Sequence, residues 1–348
     1  MNMKRIFILM IALIPLLSVG CKSTGKSTAD GTEPINLIME TDIGNDVDDA
    51  LAMDLLYKYI DAGTINLLAT CINKEGAASA EFMDILNTWY GYPDIPIGII
   101  HNGPDCASDA INYAEAVVMQ KNEDGSLPFK RSLKSYEDLP DAHILYRKLL
   151  AKAKDKSVVI ASVGFSSNLA RLLQTGPDKY SKLDGKELVE KKVKLLVTMA
   201  GNFVDPNHHE YNVFKDIPAA KTILEDWPTP VVTSPFELGI QVLYPATSIE
   251  NDFGWAGKHP VVEAYKAYLP MPYDRPTWDP TGVLYAVEGD KWFDVSEPGT
   301  IRVTEEGSTF FTPDPNGTRR YLSVSPQQAE AIKKHFIEVI TTPPAVLK

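Results

Sequence analysis

Five carboxylates fall within ten residues of one another: Glu40, Asp42, Asp46, Asp48 and Asp49. Carboxylates gathered this closely repel, so a fold that holds them together needs a cation or shared protons among them. An all-oxygen donor set favours Ca²⁺ or Mg²⁺ over zinc or copper. The same residues also read as a solvated acidic turn whose aspartates cap a helix. Five acids at a strand-to-helix turn favour a metal or catalytic site, because open α/β sheets bind ligands where their strands end. An EF-hand loop is excluded as the source of the acidic run: counting from Asp42, the sixth position is Val47 rather than Gly and the twelfth is Met53 rather than Glu.

The flanking sequence says what must position these acids. A short apolar run with a β-branched start predicts a buried strand over Ile35–Thr41. After the acids, Ala50, Leu51, Leu55, Leu56 and Tyr59 share one face of a helix predicted over Asp48–Ala62. Gly44 lets the backbone turn tightly between them. Further strands are expected at Ile65–Ile72, Ile95–Ile100, Val158–Val163, Val193–Ala200 and Val231–Thr233. Helices are expected at Ala77–Tyr90, Asp141–Lys154, Ser167–Gln174, Ile217–Trp227 and Gln327–Ile340. Near-continuous apolar strands alternating with amphipathic helices predict an α/β fold, a mostly parallel open sheet with helices on both faces. Residues 101–140 read as a long loop with one helix near Tyr113–Gln120, a lid or binding loop in a compact enzyme. Thr300–Val303, Thr309–Phe311 and Arg320–Val324 read as a small C-terminal β-meander decorating the domain, with a turn at Pro313–Gly317. There is no internal repeat and no dividing linker, so residues 34–348 are expected to form one domain.

The N-terminus carries an address. Lys4 and Arg5 precede the apolar run Ile6–Leu17, which contains Pro15 and is too short to span a bilayer as a mature helix. It ends Leu17-Ser18-Val19-Gly20-Cys21, which resembles the lipobox of bacterial lipoproteins. Residues 1–20 are therefore expected to be a signal peptide, Cys21 the lipidated residue and 21–33 a polar, flexible tether. The picture is a domain held by its lipid at the bacterial cell envelope, periplasmic or surface-exposed. Of the other cysteines, Cys71 and Cys106 would be free to pair in such a compartment, though spacing alone does not bring them together.

The formal net charge is −12, and removing residues 1–20, which carry Lys4 and Arg5 and no acid, leaves −14. A chain this acidic is a poor partner for nucleic acid; a small neutral substrate or a cation fits better. No Cys-x-x-Cys or other usual zinc signature is present. A homo-oligomer is left open.

Reading the predicted strand ends in turn collects the polar residues that would meet at a site. They are the Asp42–Asp49 stretch, Asn73, Val163-Gly164-Phe165-Ser166-Ser167-Asn168, and Met199-Ala200-Gly201-Asn202. Glu210-Tyr211-Asn212 and Trp278-Asp279-Pro280 follow. In this order they resemble the inosine-uridine-preferring nucleoside hydrolase family over roughly residues 35–290. Glu40-Thr41-Asp42-Ile43-Gly44-Asn45-Asp46-Val47-Asp48-Asp49 resembles the family's D-T-D-x-G-x-D-D, and Val163–Leu169 its T-G-P-L-T-N-L. Met199-Ala200-Gly201 resembles its M-G-G, and Glu210-Tyr211-Asn212 its E-[FY]-N, followed by the matching Asp216-x-Pro218-Ala219-Ala220.

The resemblance implies N-ribosyl hydrolysis around a bound Ca²⁺ that holds the ribose 2′- and 3′-hydroxyls and the attacking water. It implies Asp42, Asp49 and Asp279 as carboxylate ligands, Val163 as a ligand through its carbonyl, and Asp42 as the general base. Glu210 and Asn212 would contact ribose hydroxyls, Met199 would pack on the sugar, and Asn73 and Asn202 would lie among the substrate-facing residues. The chain also departs from the pattern. The first motif carries two extra residues, so both Asp46 and Asp48 are candidates for the carboxylate at the 2′-hydroxyl, while anchoring on the helix selects Asp49 as ligand. Glu40 stands where the family has Asp. Trp278 stands where the family has His, which in several members helps protonate the departing base. Indole has an N–H but no titratable acid near neutrality, so Trp278 would stack on the base or a second sugar. Either His208, His209, His101, a Tyr or Arg275 would then donate the proton, or leaving-group activation differs, or the substrate is another riboside. The function expected is hydrolysis of ribonucleosides to ribose and base; the rival is a lipoprotein that binds ribosides or Ca²⁺ without turnover.

Overall fold

A computed structural model describes residues 33–104 and 111–348. The proposed signal peptide, Cys21 and nearly all of the tether lie outside the described residues, as does Cys106; Cys71 is buried with a free thiol. Among the described residues no helix is long and apolar enough to cross a membrane.

The sheet is built on seven parallel strands: β1 (Ile35–Thr41), β2 (Ile65–Ile72), β3 (Ile97–Gly98), β4 (Val158–Ser162), β5 (Val193–Met199), β6 (Val231–Ser234) and a late one described below. In space they run β6-β5-β4-β1-β2-β3, so the chain reverses direction of winding between β1 and β4. That reversal opens a crevice at the carboxyl ends of β1 and β4, which pair side by side from Asn36 and Val158 to Glu40 and Ser162. Burial on both faces explains the apolar runs. Leu37 and Met39 of β1 enter one core with Val159 and Ala161 of β4, while Ile38 and Ile160 enter the other. The edge strand β3 is shorter than the run Ile95–Ile100 implies; Pro96 has no N–H to offer a neighbour.

The helices fall where periodicity places them, within two residues at each end: Asp48–Asp61, Ala77–Trp89, Ala142–Lys152, Ser167–Leu173, Ile217–Asp226 and Pro326–Ile340, with Tyr113–Val118 inside the long loop. The helix Trp278–Glu288 had no periodic signal. It is buried on nearly every side, from Asp279 through Val287, and packs on the helix Asp48–Asp61 and on β4, β5 and β6. A helix apolar all round has no amphipathic stripe to read.

The C-terminal strands correct the expected meander. After β7 (Leu243–Tyr244) and β8 (Arg275–Pro276), which pair only with each other, come β9 (Asp294–Val295), β10 (Gly299–Val303), β11 (Thr309–Pro313) and β12 (Arg319–Ser323). The hairpin is β10–β11, and β12 lies on the other side of β10 and runs parallel to β6. It is the seventh parallel strand rather than a decoration. Arg319 explains the placement: its buried guanidinium donates to the carbonyls of Leu224 (2.7 Å), Glu225 (2.9 Å) and Trp227 (2.9 Å), closing the C-terminus of the helix Ile217–Asp226.

Glu288 ties three helices together behind the site. It accepts from Tyr59 Oη (2.6 Å), Lys291 Nζ (2.7 Å) and Trp292 Nε1 (2.9 Å) and pairs with His335 Nε2 (3.0 Å). Burial alone would raise its pKa, but these partners outweigh burial and hold the carboxyl below its usual range. A carboxyl depressed in the folded state contributes stability above its unfolded pKa of about 4.3 and loses it as pH falls further. Glu288→Gln is expected to lower Tm by about 2–4 °C at pH 7. The deficit should shrink by pH 3; an equal deficit at both pH values would show that the carboxylate charge is not what stabilises.

Candidate active site

Five separate stretches deliver side chains to one cavity of ≈ 290 Å³ at the carboxyl ends of β1, β4 and β5. Asp42 directly follows β1, Gly44 turns the chain at φ 130°, and Asp46 follows. The helix Asp48–Asp61 begins with Asp48 and Asp49, β4 leads into Val163, and β5 ends on Met199. Glu210 caps the short helix Tyr211–Lys215, and Asp279 opens the buried helix Trp278–Glu288.

Asp42, Asp49, Asp279 and Val163 all line this cavity. So do Asp46, Met199, Glu210, Asn212 and Trp278. Three expected residues do not. Asp48 is buried behind the wall, where its Oδ2 accepts from the backbone N–H of Asp279 (3.0 Å). Asn73 is buried beneath Asp42, and Asn202 turns its Oδ1 back onto the N–H groups of Val204 (3.0 Å) and Asp205 (2.9 Å). The two-residue insertion thus has a clear layout. Asp46 reaches the cavity and pairs with Arg275, Asp48 holds the start of the helix Trp278–Glu288, and Val47 is in the core.

The supporting contacts are specific. Thr41 Oγ1 donates to Asp49, and Asn212 Nδ2 donates to the carbonyls of Val163 (3.0 Å) and Met199 (3.1 Å). One amide therefore fixes the ends of two neighbouring strands. Glu210 accepts from the backbone N–H groups of Gly201 (3.1 Å), Asn212 (2.8 Å) and Val213 (3.1 Å). Behind β1, Glu40 accepts from Asn168 (2.8 Å) and Tyr146 (3.3 Å), so the Glu at the family's Asp position is a buried brace outside the cavity.

Burial dominates the electrostatics. It pushes Asp42 up to about 7, against the pull of Lys74 and with the help of Asp46. Burial likewise pushes Glu210 up to about 7, opposed by its three backbone donors. Asp49 and Asp279 are raised well above the usual range, by burial first and then by neighbouring aspartates. Among the described residues, no group of three or more His, Cys, Asp or Glu side chains is drawn into a ligating cage. The donor chemistry still fits a hard cation. The donors are oxygens only, three carboxylates and a carbonyl, and Asp49 keeps its Oδ2 buried with no hydrogen-bond partner.

The rest of the lining is Asn45 and Tyr211, which lie within the quoted motifs, and Ile111, Phe236 and Tyr268, which carry no sequence signal. Lys74 did carry one: a cation directly after β2, beside Asn73, is the counter-charge an acid cluster calls for. Trp278 is more constrained than a free stacking surface. Its Nε1 donates to the Phe236 carbonyl (2.9 Å), Phe236 stacks on it at 5.5 Å, and the Arg275 guanidinium lies 5.0 Å from its ring centroid. His208 stacks on Phe236 at 4.0 Å, His209 lies against Phe214, and His101 pairs with Asp141 (2.8 Å); none of the three lines the cavity.

A doubly wound parallel sheet with a carboxylate-rich cavity at its switch point defines a class of α/β enzymes that hold small polar substrates. Within that class the chain belongs to the inosine-uridine preferring nucleoside hydrolase family, whose model matches residues 37–335. The family's members are N-ribosyl hydrolases and commonly bind a metal ion. A comparison with curated proteins finds no match. Among solved structures the fold is similar to a plant nucleoside hydrolase, at TM-score 0.67 and 18% identity, covering 89% of this chain and 100% of that one. It is also similar to a purine-preferring ribonucleoside hydrolase from Gardnerella vaginalis, at TM-score 0.65 and 18% identity over 88% and 99% of the two chains. An inosine-uridine preferring nucleoside hydrolase from Bacillus anthracis gives TM-score 0.62 and 18% identity over 88% and 99%.

Proposed function

We propose that this chain hydrolyses the N-glycosidic bond of ribonucleosides with calcium as its metal, outside the cytoplasm and anchored through lipid on Cys21. The observation that carries the reading is convergence. Asp42, Asp49, Val163 and Asp279, drawn from three distant parts of the chain, line one cavity together with Glu210 and Asn212. Asp42, Asp49, Asp279 and the Val163 carbonyl would hold the cation. When bound, a divalent ion there supplies a water of lowered pKa. Asp42 takes that water's proton. Asn212 holds the Val163 carbonyl in place through its 3.0 Å hydrogen bond. Asp46 and Glu210 offer acceptors to sugar hydroxyls, and the buried carboxylates favour the positive charge that develops on the sugar as the base departs. Met199 packs against the ring.

Protein lacking residues 1–21, offered purine and pyrimidine ribonucleosides, is expected to release reducing sugar and free base in equal amounts. Saturable nucleoside binding with no sugar released from any of them would leave a binding protein instead.

A further inference from the structure

The guanidinium of Arg275 lies behind the cavity wall rather than in it, and what it touches is the wall itself. It pairs with Asp46, which lines the cavity. Its Nε faces Asp48 Oδ1 across 3.9 Å, and both atoms are buried with no hydrogen-bond partner. Its Cζ lies 4.9 Å from the Tyr268 ring centroid and 5.0 Å from that of Trp278, and both rings line the cavity. Burial works against its charge, but Asp46 and Asp48 outweigh burial and hold it firmly cationic.

The main chain beneath Arg275 is fixed as well. Arg275 pairs with Tyr244 between β8 and β7. Thr277 donates from its N–H (3.0 Å) and its hydroxyl (2.8 Å) to the Val242 carbonyl. Asp46 is the opposite case. It sits on the turn with two extra residues, and its side chain is 38% exposed against 1% for Asp48. A carboxylate so open takes its direction from the group it pairs with, and an anchored guanidinium between two rings gives that direction.

Resting on the ribosyl hydrolase reading, we propose that Arg275 is a positioning residue that aims the Asp46 carboxylate at one ribose hydroxyl. Arg275 touches neither sugar nor base, and recognition of that hydroxyl passes through the ion pair. Besides its guanidinium partner, the carboxylate has lone pairs to accept from a hydroxyl. Lysine cannot replace arginine here, because an ammonium offers neither the fork nor the flat face.

The test uses the calcium-loaded protein lacking residues 1–21 and whichever of adenosine, inosine, cytidine and uridine it hydrolyses fastest. Selectivity is kcat/KM for that riboside over kcat/KM for its 2′-deoxy and its 3′-deoxy forms. A hydrogen bond to a charged group is worth about 10–100-fold, so Asp46→Asn should lose about tenfold or more of the selectivity for one hydroxyl. Arg275→Met should lose the same selectivity, and the double variant should lose no more than either single one. Arg275→Lys, which keeps the charge, should show the same loss and reads the result if Arg275→Met does not fold. A merely structural role would lower all three kcat/KM values alike. Selectivity intact in both Arg275 variants, losses that multiply in the double variant, or no selectivity in the parent protein would overturn the inference. With the riboside still hydrolysed, the ribosyl hydrolase reading would survive any of these. No hydrolysis of any riboside by the parent protein would overturn both.

Discussion

Asp42→Asn is expected to reduce kcat by about 10²–10⁴-fold, the range a general base supplies. Asparagine keeps the size of the side chain and its place at the end of β1 but cannot accept a proton near neutrality. It also brings one fewer charge to the cavity and weakens the hold on a cation, so KM and metal affinity should suffer as well. The fold should not. Asp42 is crowded by Asp46 and Glu210 and disfavoured by burial, so removing its charge relieves repulsion, and the thermal midpoint measured in chelator should not fall. Steady-state kinetics with a parallel melt check both halves. A near-normal rate would show that another group takes the proton.

Gly164→Ala is expected to reach the same chemistry through sterics. A Cβ on Gly164 would stand 2.6 Å from the Asp42 backbone nitrogen, 2.6 Å from Asp42 Oδ1 and 2.6 Å from Asn73 Oδ1. None of these can yield by swinging a flexible tail, since Asp42 directly follows Thr41, which pairs with Ile72 in the sheet, and Asn73 is buried. Overpacking of this kind costs about 1–3 kcal/mol. A displacement of about 1 Å at a catalytic carboxylate costs about 10²-fold in rate. The variant should therefore fold, melt several degrees lower and lose most of its turnover. Unchanged kinetics would show that β4 and Asp42 do not depend on their close approach.

Most of the frame was legible because its signals are local. Ile35–Thr41 followed by the acids, a turn and the stripe Ala50–Tyr59 reads as strand, loop and helix with no help from the rest of the chain. The polar residues at strand ends followed as a group, since a parallel sheet sends its carboxyl ends to one side. What was hidden is non-local. Arg319 and Arg320 disguise β12, which enters the sheet only because Arg319 can close a helix end more than ninety residues earlier. The helix Trp278–Glu288 has no stripe because the core surrounds it. The division between Asp46 and Asp48 depends on Arg275, which draws Asp46 to the cavity side, and on the Asp279 N–H, which Asp48 caps. No spacing rule links residue 46 to 275. Trp278 lines the cavity, and no spacing rule shows that its N–H and its ring are engaged by Phe236 and Arg275. Ile111, Phe236 and Tyr268 complete the cavity from loops and helix ends where no motif marks them.

Three carboxylates and a carbonyl are proposed to hold a calcium ion on which ribosyl hydrolysis depends. Reducing-sugar release should be measured on protein dialysed against a calcium-selective chelator, then after stepwise return of calcium. Turnover should be lost on dialysis and should recover to saturation at one calcium bound per chain. Full activity in the chelated protein with no calcium bound would contradict it.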